Sequence, residues 1–226
     1  NYRAYFTDKQ RGAVLRLSMD GLTPISEYGM SDYFKDALST NNVTTILGSF
    51  DDRKNEYNLT IPSIGSTVSF KESVNGWSSF KSFIPEQAVS VGNSYYTFKS
   101  ALPYKHHVEV DQAGNTVDRN TFYGTYASST VSVLLNDAPD VIKSYKTLGY
   151  EGSQSNVNLE STNIDSGYYN LENKDGWSST LIQTDKQKGS VSEFIEKEGK
   201  WFNHIKGDND EIKTDEFSFQ GIGRPT

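Results

Sequence analysis

Apolar and polar residues alternate in short runs along most of the chain. In EYNLTI, Tyr57, Leu59 and Ile61 fall on one side of an extended backbone while Glu56, Asn58 and Thr60 fall on the other. The same period of two runs through Ala13, Leu15 and Leu17 in AVLRLS, Val68 and Phe70 in TVSF, Val131, Val133 and Leu135 in TVSVLL, and Phe217 and Phe219 in EFSFQ. Between these runs stand Asp20-Gly21, Asn75-Gly76, Gly92-Asn93, Gly114-Asn115, Asp175-Gly176 and Glu198-Gly199. Such pairs tolerate the backbone conformations that tight hairpins need. The pattern predicts an all-β, mainly antiparallel fold.

One helix stands out. In GMSDYFKDALS, Ser31 suits a cap, Asp32 suits the first turn, and Phe34, Ala37 and Leu38 share a face, so a short helix is expected over about 30–39. DVIKSYKTLGYEG is ambiguous, because Val141, Tyr145 and Leu148 fit a helix whereas its β-branched residues and flanking turns favour a strand; strand is the reading adopted. Residues 151–176 are rich in Ser, Asn, Asp and Gly, and residues 110–121 hold an Ala-Gly-Asn turn in a polar stretch. Either is a candidate sub-boundary, but neither has the length or proline content of an interdomain linker. One β-rich module over 1–226 is expected. The chain opens on Asn1 and is already strand-like at Arg3–Phe6, which reads as the C-terminal part of a longer polypeptide.

The tetrapeptide GWSS occurs at 76–79 and again at 176–179. In each copy an Asn-Gly or Asp-Gly pair is expected to turn the chain and the Trp to begin the outgoing strand. Neither copy sits in a Gly-x-Ser-x-Gly elbow, and three histidines in the whole chain leave few bases to activate a serine. Ser78, Ser79, Ser178 and Ser179 are therefore read as small strand residues beside a large ring.

Composition sharpens the β reading. The chain of 226 residues is long enough for a substantial core, and its aromatic content of 13%, carried by 14 Tyr, 12 Phe and 3 Trp, suits pleated surfaces. With no cysteine there is no disulfide framework, thiolate nucleophile or cysteine-ligated zinc. A net charge of -7 without a basic run disfavours phosphate recognition, and no apolar stretch is long enough to insert into a membrane as a helix.

Few residues suggest reactive chemistry. Adjacent His106 and His107 would point to opposite sides of a strand, so they do not make a metal pair and are expected to be exposed or half-buried. His204, alternating with Phe202, reads as packed, and Asp51-Asp52-Arg53-Lys54 reads as a charged hairpin turn. GDNDE at 207–211 is rich in oxygen ligands but lacks the spacing of a calcium loop. Asn42 and Asn58 lie in glycosylation triplets, Asn58 inside an expected strand. No catalytic, cofactor-binding or metal-ligating residue is assigned. The residues expected to matter are architectural: Gly76, Trp77, Phe80, Gly176, Trp177, Tyr57, Phe70 and Trp201.

Segment order adds a resemblance. ILGSFDDRKNEYNLTI, STVSFKESVNGWSSFKSFIPE and VGNSYYTFKSALPYKHH resemble a series found in virion structural proteins of tailed bacteriophages, marine and cyanobacterial ones especially. RAYFTDKQRGAVLRLSMDGLTPIS, GMSDYFKD, VLLNDAPDVIKSYKTLGYEGS and EFIEKEGKWFNHIKGD extend the likeness over most of the chain. It is similar to tail nozzle and muzzle proteins, which implies β-propeller-like blades, with a β-sandwich as the alternative. One four-stranded blade would hold Tyr5-Phe6 and Leu15–Leu17, and the next Tyr57–Ile61, Val68–Phe70, Trp77–Phe83 and Tyr95–Phe98. The resemblance implies a non-enzymatic component of the virion tail, neck or baseplate, without cofactor. Its partners would be other virion proteins and further copies of itself in a symmetric oligomer. The alternative is a tip module binding a host receptor or surface glycan through exposed aromatic rings.

Overall fold

A computed structural model describes residues 2–39, 42–158, 172–185 and 187–207, and the chain forms two compact units, Asn1–Val133 and Leu134–Thr226. The structure is all-β and mainly antiparallel. The EFSFQ strand expected at 216–220 and all but the first residue of GDNDE lie outside the described residues.

The first unit is built on strands β1 (Ala4–Asp8), β2 (Ala13–Ser18), β3 (Gly21–Pro24), β4 (Leu47–Asp51), β5 (Glu56–Ile61), β6 (Ser66–Lys71), β7 (Gly76–Lys81), β8 (Gln87–Val91), β9 (Ser94–Lys99), β10 (Leu102–Lys105), β11 (Thr121–Phe122) and β12 (Thr125–Tyr126), with helix α1 at Ser31–Ser39. Consecutive strands pair, giving meanders β1-β2-β3, β4-β5-β6-β7 and β10-β9-β8 and a small β11-β12 ribbon. Local sequence explains much of this connectivity. Between β8 and β9, Gly92 and Asn93 both adopt positive φ, 57° and 60°, the conformation of a two-residue primed turn whose twist matches the strands it joins.

The blade assignment is corrected in two places. The first meander has three strands, completed by β3, and the four-stranded meander takes β4 as its fourth strand while β9 pairs with β8 and β10. Among the described residues no sheet closes into a barrel or propeller.

Central strand β5 is buried over its whole length. Its apolar side, Tyr57, Leu59 and Ile61, joins Val68, Phe70, Val14, Ile25 and the α1 residues Phe34, Ala37 and Leu38 in one core. Fully burying side chains such as Leu59, Val68 and Phe70 stabilises by about 1.5–3 kcal/mol each. Its polar side is also covered, and there every group finds a partner: Asn58 Oδ1 accepts from Ser69 Oγ at 2.6 Å, and Thr60 and Thr67 join hydroxyls at 2.8 Å. Thr67 Oγ1 sits 2.7 Å from the Phe83 carbonyl, and Ser49 Oγ 2.8 Å from Tyr95 OH, which fastens the β8–β10 region over this polar side.

The second unit contains β13 (Thr147–Tyr150), β14 (Ser179–Gln183), β15 (Lys188–Val191), β16 (Ile195–Lys197), β17 (Lys200–His204) and β18 (Lys206–Gly207). Two three-stranded sheets, β13-β17-β16 and β14-β15-β18, enclose Val157, Val191, Phe194 and Trp201. β13 confirms the strand reading of the ambiguous stretch, though only over Thr147–Tyr150 of its thirteen residues.

Candidate functional site

The two GWSS copies part company in three dimensions. At the first, Glu72–Val74 forms a 3-10 turn closed by Asn75 at φ 53°, and Trp77 enters β7 as expected. Its ring lies 4.6 Å from Phe34 and 5.3 Å from Phe70, and its Nε1 donates to the Ile25 carbonyl at 2.9 Å. A bulge then shifts the register. Phe70 faces Trp77 whereas Ser69 faces Ser79, so Ser78 is the extra residue. Simple alternation would send Trp77 and Phe80 to opposite sides. The bulge brings both to the side of α1, where Phe80 meets Tyr33 edge-on at 5.3 Å while remaining 60% exposed.

At the second copy the expected hairpin is absent. Gly176 lies against Ser155, whose backbone would be 2.5–2.6 Å from any Cβ placed there, and Trp177 makes an isolated parallel bridge to Ser155. The chain needs glycine here for close backbone approach, not for turning. Trp177 is 43% exposed and contributes its carbonyl, which accepts from Asn156 N at 2.9 Å. The buried indole of this unit is Trp201, which packs in the core, donates Nε1 to the Gly152 carbonyl at 2.9 Å and lies under the Lys174 ammonium at 5.5 Å. Tyr57 and Phe70 are core residues, and Tyr57 stacks on Tyr5 at 4.2 Å.

The remaining polar chemistry centres on the histidine pair. Strand β10 ends at Lys105, His106 continues its ladder through a 2.9 Å bond from its N–H to the Tyr95 carbonyl, and His107 turns at φ 59°. The expectation of exposed or half-buried rings fails for His106. It is 8% exposed, boxed by Phe83, Tyr95 and Phe122, with Nε2 2.7 Å from Thr97 Oγ1. Burial, aided by neighbouring His107 and opposed by Asp51, holds its pKa down at about 4. No local pattern marks this burial, because the box is assembled from strands β9 and β11 and the connection between β7 and β8, which lie far apart in the chain.

His107 is half-buried and its Nε2 lies 2.6 Å from Asp51 Oδ2, while Asp51 Oδ1 accepts from the backbone N–H groups of Arg53 and Lys54 and Arg53 Nη1 donates to the His107 carbonyl. The charged tetrad is thus a turn, as read from sequence, that also clamps the end of β10. An Asp–His pair is two parts of a hydrolytic triad. The third is missing among the described residues: Ser90 donates to the Phe50 carbonyl at 2.7 Å, and no hydroxyl bonds to the His107 ring. His204, read as packed, is exposed, with Nδ1 3.4 Å from Thr147 Oγ1. No group of three or more ligating side chains among the described residues is placed to hold a metal ion.

A second buried ion cluster ties the first meander to the turn before β7. Glu72 accepts from Arg16 Nη1 and Tyr5 OH, both at 2.6 Å, with Arg3 3.7 Å away. Burial, followed by the bond to Glu72, pushes the Tyr5 phenol above its ordinary range. This is bracing: both carboxylate oxygens are taken up by partners and the side chain is buried.

The surface is more telling than any cleft. TVSVLL, expected as a strand, is not part of any strand among the described residues, and Val131, Val133, Leu134 and Leu135 are 71%, 67%, 90% and 63% exposed. Val141 and Ile142 nearby are also exposed. Apolar exposure of this extent on one stretch is a mark of an interaction surface.

Residues 117–208 match a family model described as the Crassvirus muzzle protein C-terminal domain. No curated protein matches the chain. The similarity indicates a component of the phage virion, a structural protein that meets other virion proteins.

Proposed function

We propose that the protein is a non-enzymatic structural component of a phage tail, working through rigid β units and contacts between subunits. The observation that carries this reading is the similarity of residues 117–208 to the muzzle protein C-terminal domain. The buried chemistry agrees with it. Asp51, Glu72, His106 and the hydroxyls of β5 and β6 are spent on one another inside the protein, which stiffens it and leaves them unavailable to a substrate.

Antibody raised against the chain, applied to purified particles and viewed by electron microscopy, tests the location. Label concentrated on the tail is the expected result. Label on the capsid shell alone, or hydrolysis of a host-surface polysaccharide by the purified chain, would overturn the proposal.

A further inference from the structure

Two sheets of the first unit break the rule that an antiparallel sheet with one solvated side is polar on that side. In the first meander Tyr5 and Val14 face the core, while the register sets Ala4 beside Leu17 and Leu22, and Phe6 beside Leu15 and Pro24, on the outward side. Phe6, Leu17 and Leu22 are about half exposed there. In the β8–β10 sheet Tyr95 and Thr97 are buried, and the outward side sets Val89 beside Tyr96, and Gln87 beside Phe98 and Pro103. These two sides point away from each other. Tyr5 stacks on Tyr57 on the apolar side of β5, whereas Tyr95 OH meets Ser49, which pairs with Asn58 on the polar side, so the four-stranded sheet lies between them.

We propose that copies of the chain stack head to tail, the outward side of the β1-β2-β3 meander of one copy against the outward side of β8–β10 of the next. The inference rests on the assembly reading above and names the surfaces through which it operates. The contact repeats between copies the sheet-on-sheet packing already present within the unit.

Charge selects the pairing. The strand positions of each outward side carry a single charge, and the two signs are opposite: Asp8 ends edge strand β1 on the side of Ala4 and Phe6, and Lys105 ends edge strand β10 on the side of Tyr96. Asp8 has an ion partner in Arg11 at 3.5 Å, whose guanidinium reaches into solvent, while Lys105 has no ion partner among the described residues. Pairing like sides would repeat one sign in the interface and leave the other apolar side uncovered. Pairing unlike sides joins a carboxylate to an ammonium and covers both with one kind of contact. Because each copy then keeps one free side at either end, the contact propagates into a ring or a filament.

The chain has no cysteine, so introduced thiols report the contact without background. A short bismaleimide spans the roughly 10 Å between packed sheets. Leu17→Cys mixed with Tyr96→Cys is expected to give a covalent dimer, each alone little or none, and the two substitutions in one chain a ladder of higher oligomers. No product from the mixture, or Leu17→Cys linking to itself as readily as to Tyr96→Cys, overturns the proposal. By sedimentation, Leu17→Asp should weaken self-association at least tenfold while leaving the melting of the monomer unchanged, because the side chain it replaces is half exposed. Lys105→Glu should weaken it as well, by an amount that fades as salt is raised; association unaltered by both variants would sink the stacking. Particle labelling is independent of these results: tail label without cross-linking removes this interface and leaves the assembly reading standing, and cross-linking without tail label does the reverse.

Discussion

Lowering the pH should loosen the first unit through His106. In the unfolded chain this imidazole takes a proton near its ordinary pKa of 6.5, but in the folded protein it resists protonation down to about 4. The unfolded state therefore binds more protons across that window, and stability is full above pH 6.5 and falls as pH drops toward 4. A difference of roughly 2.5 units at about 1.4 kcal/mol each gives a loss near 3 kcal/mol, with no further loss from this group at lower pH. The physical cause is the aromatic box: charging a ring that is 8% exposed and bonded to Thr97 removes its hydration without an acidic partner within hydrogen-bond reach. The assay is urea unfolding at half-unit steps from pH 7.5 to 4.5, compared with His106→Phe, which keeps an aromatic ring in the box and leaves Thr97 its bond from Tyr123 OH at 2.8 Å. The substitution should remove most of the slope below pH 6.5. If the His106 ring protons titrate near 6.5 in nuclear magnetic resonance spectra of the folded chain, or if the variant keeps the full slope, the argument is wrong.

Three further outcomes follow from the packing. Trp77→Ala should cost about 2–4 kcal/mol in denaturant unfolding, since the indole fills the space between Phe34 and Phe70, whereas Trp177→Ala should cost under about 1 kcal/mol; equal losses would contradict the distinction drawn between the two copies. Gly176→Ala should destabilise by about 1–3 kcal/mol because a methyl group strikes the Ser155 backbone, while Gly76→Ala, with its nearest obstacle the Val74 carbonyl at 3.7 Å, should be neutral or slightly stabilising, as thermal melts will show. Glu72→Ala strands Arg16 in a buried position and should cost about 3–5 kcal/mol, most of which Arg16→Met in the same chain should restore; no recovery in the double variant would mean that the cluster is not an ion-pair network.

Local patterning carried a great deal. The alternation in EYNLTI and TVSF, the turn pair Gly92-Asn93 and the i, i+3, i+4 spacing of Phe34, Ala37 and Leu38 each act over a few residues, and each produced the expected strand, hairpin or helix face. Identical tetrapeptides, by contrast, became a core anchor at Trp77 and a half-exposed bridge residue at Trp177, because the surroundings of each ring come from distant chain. The same holds for His106, whose burial depends on Phe83, Tyr95 and Phe122, and for the polar side of β5, which alternation marks only as hydrophilic. The bulge at Ser78 reverses the side on which Phe80 emerges, a choice made by the fit against Tyr33. TVSVLL shows the opposite limit: its residues encode a strand, yet a strand exists only with a neighbour to receive its hydrogen bonds, and within one chain that neighbour is absent among the described residues. Short-range periodicity thus chose the elements, while burial, register and pairing were decided by contacts between residues far apart in the chain, where desolvation and hydrogen-bond satisfaction outweigh local preference.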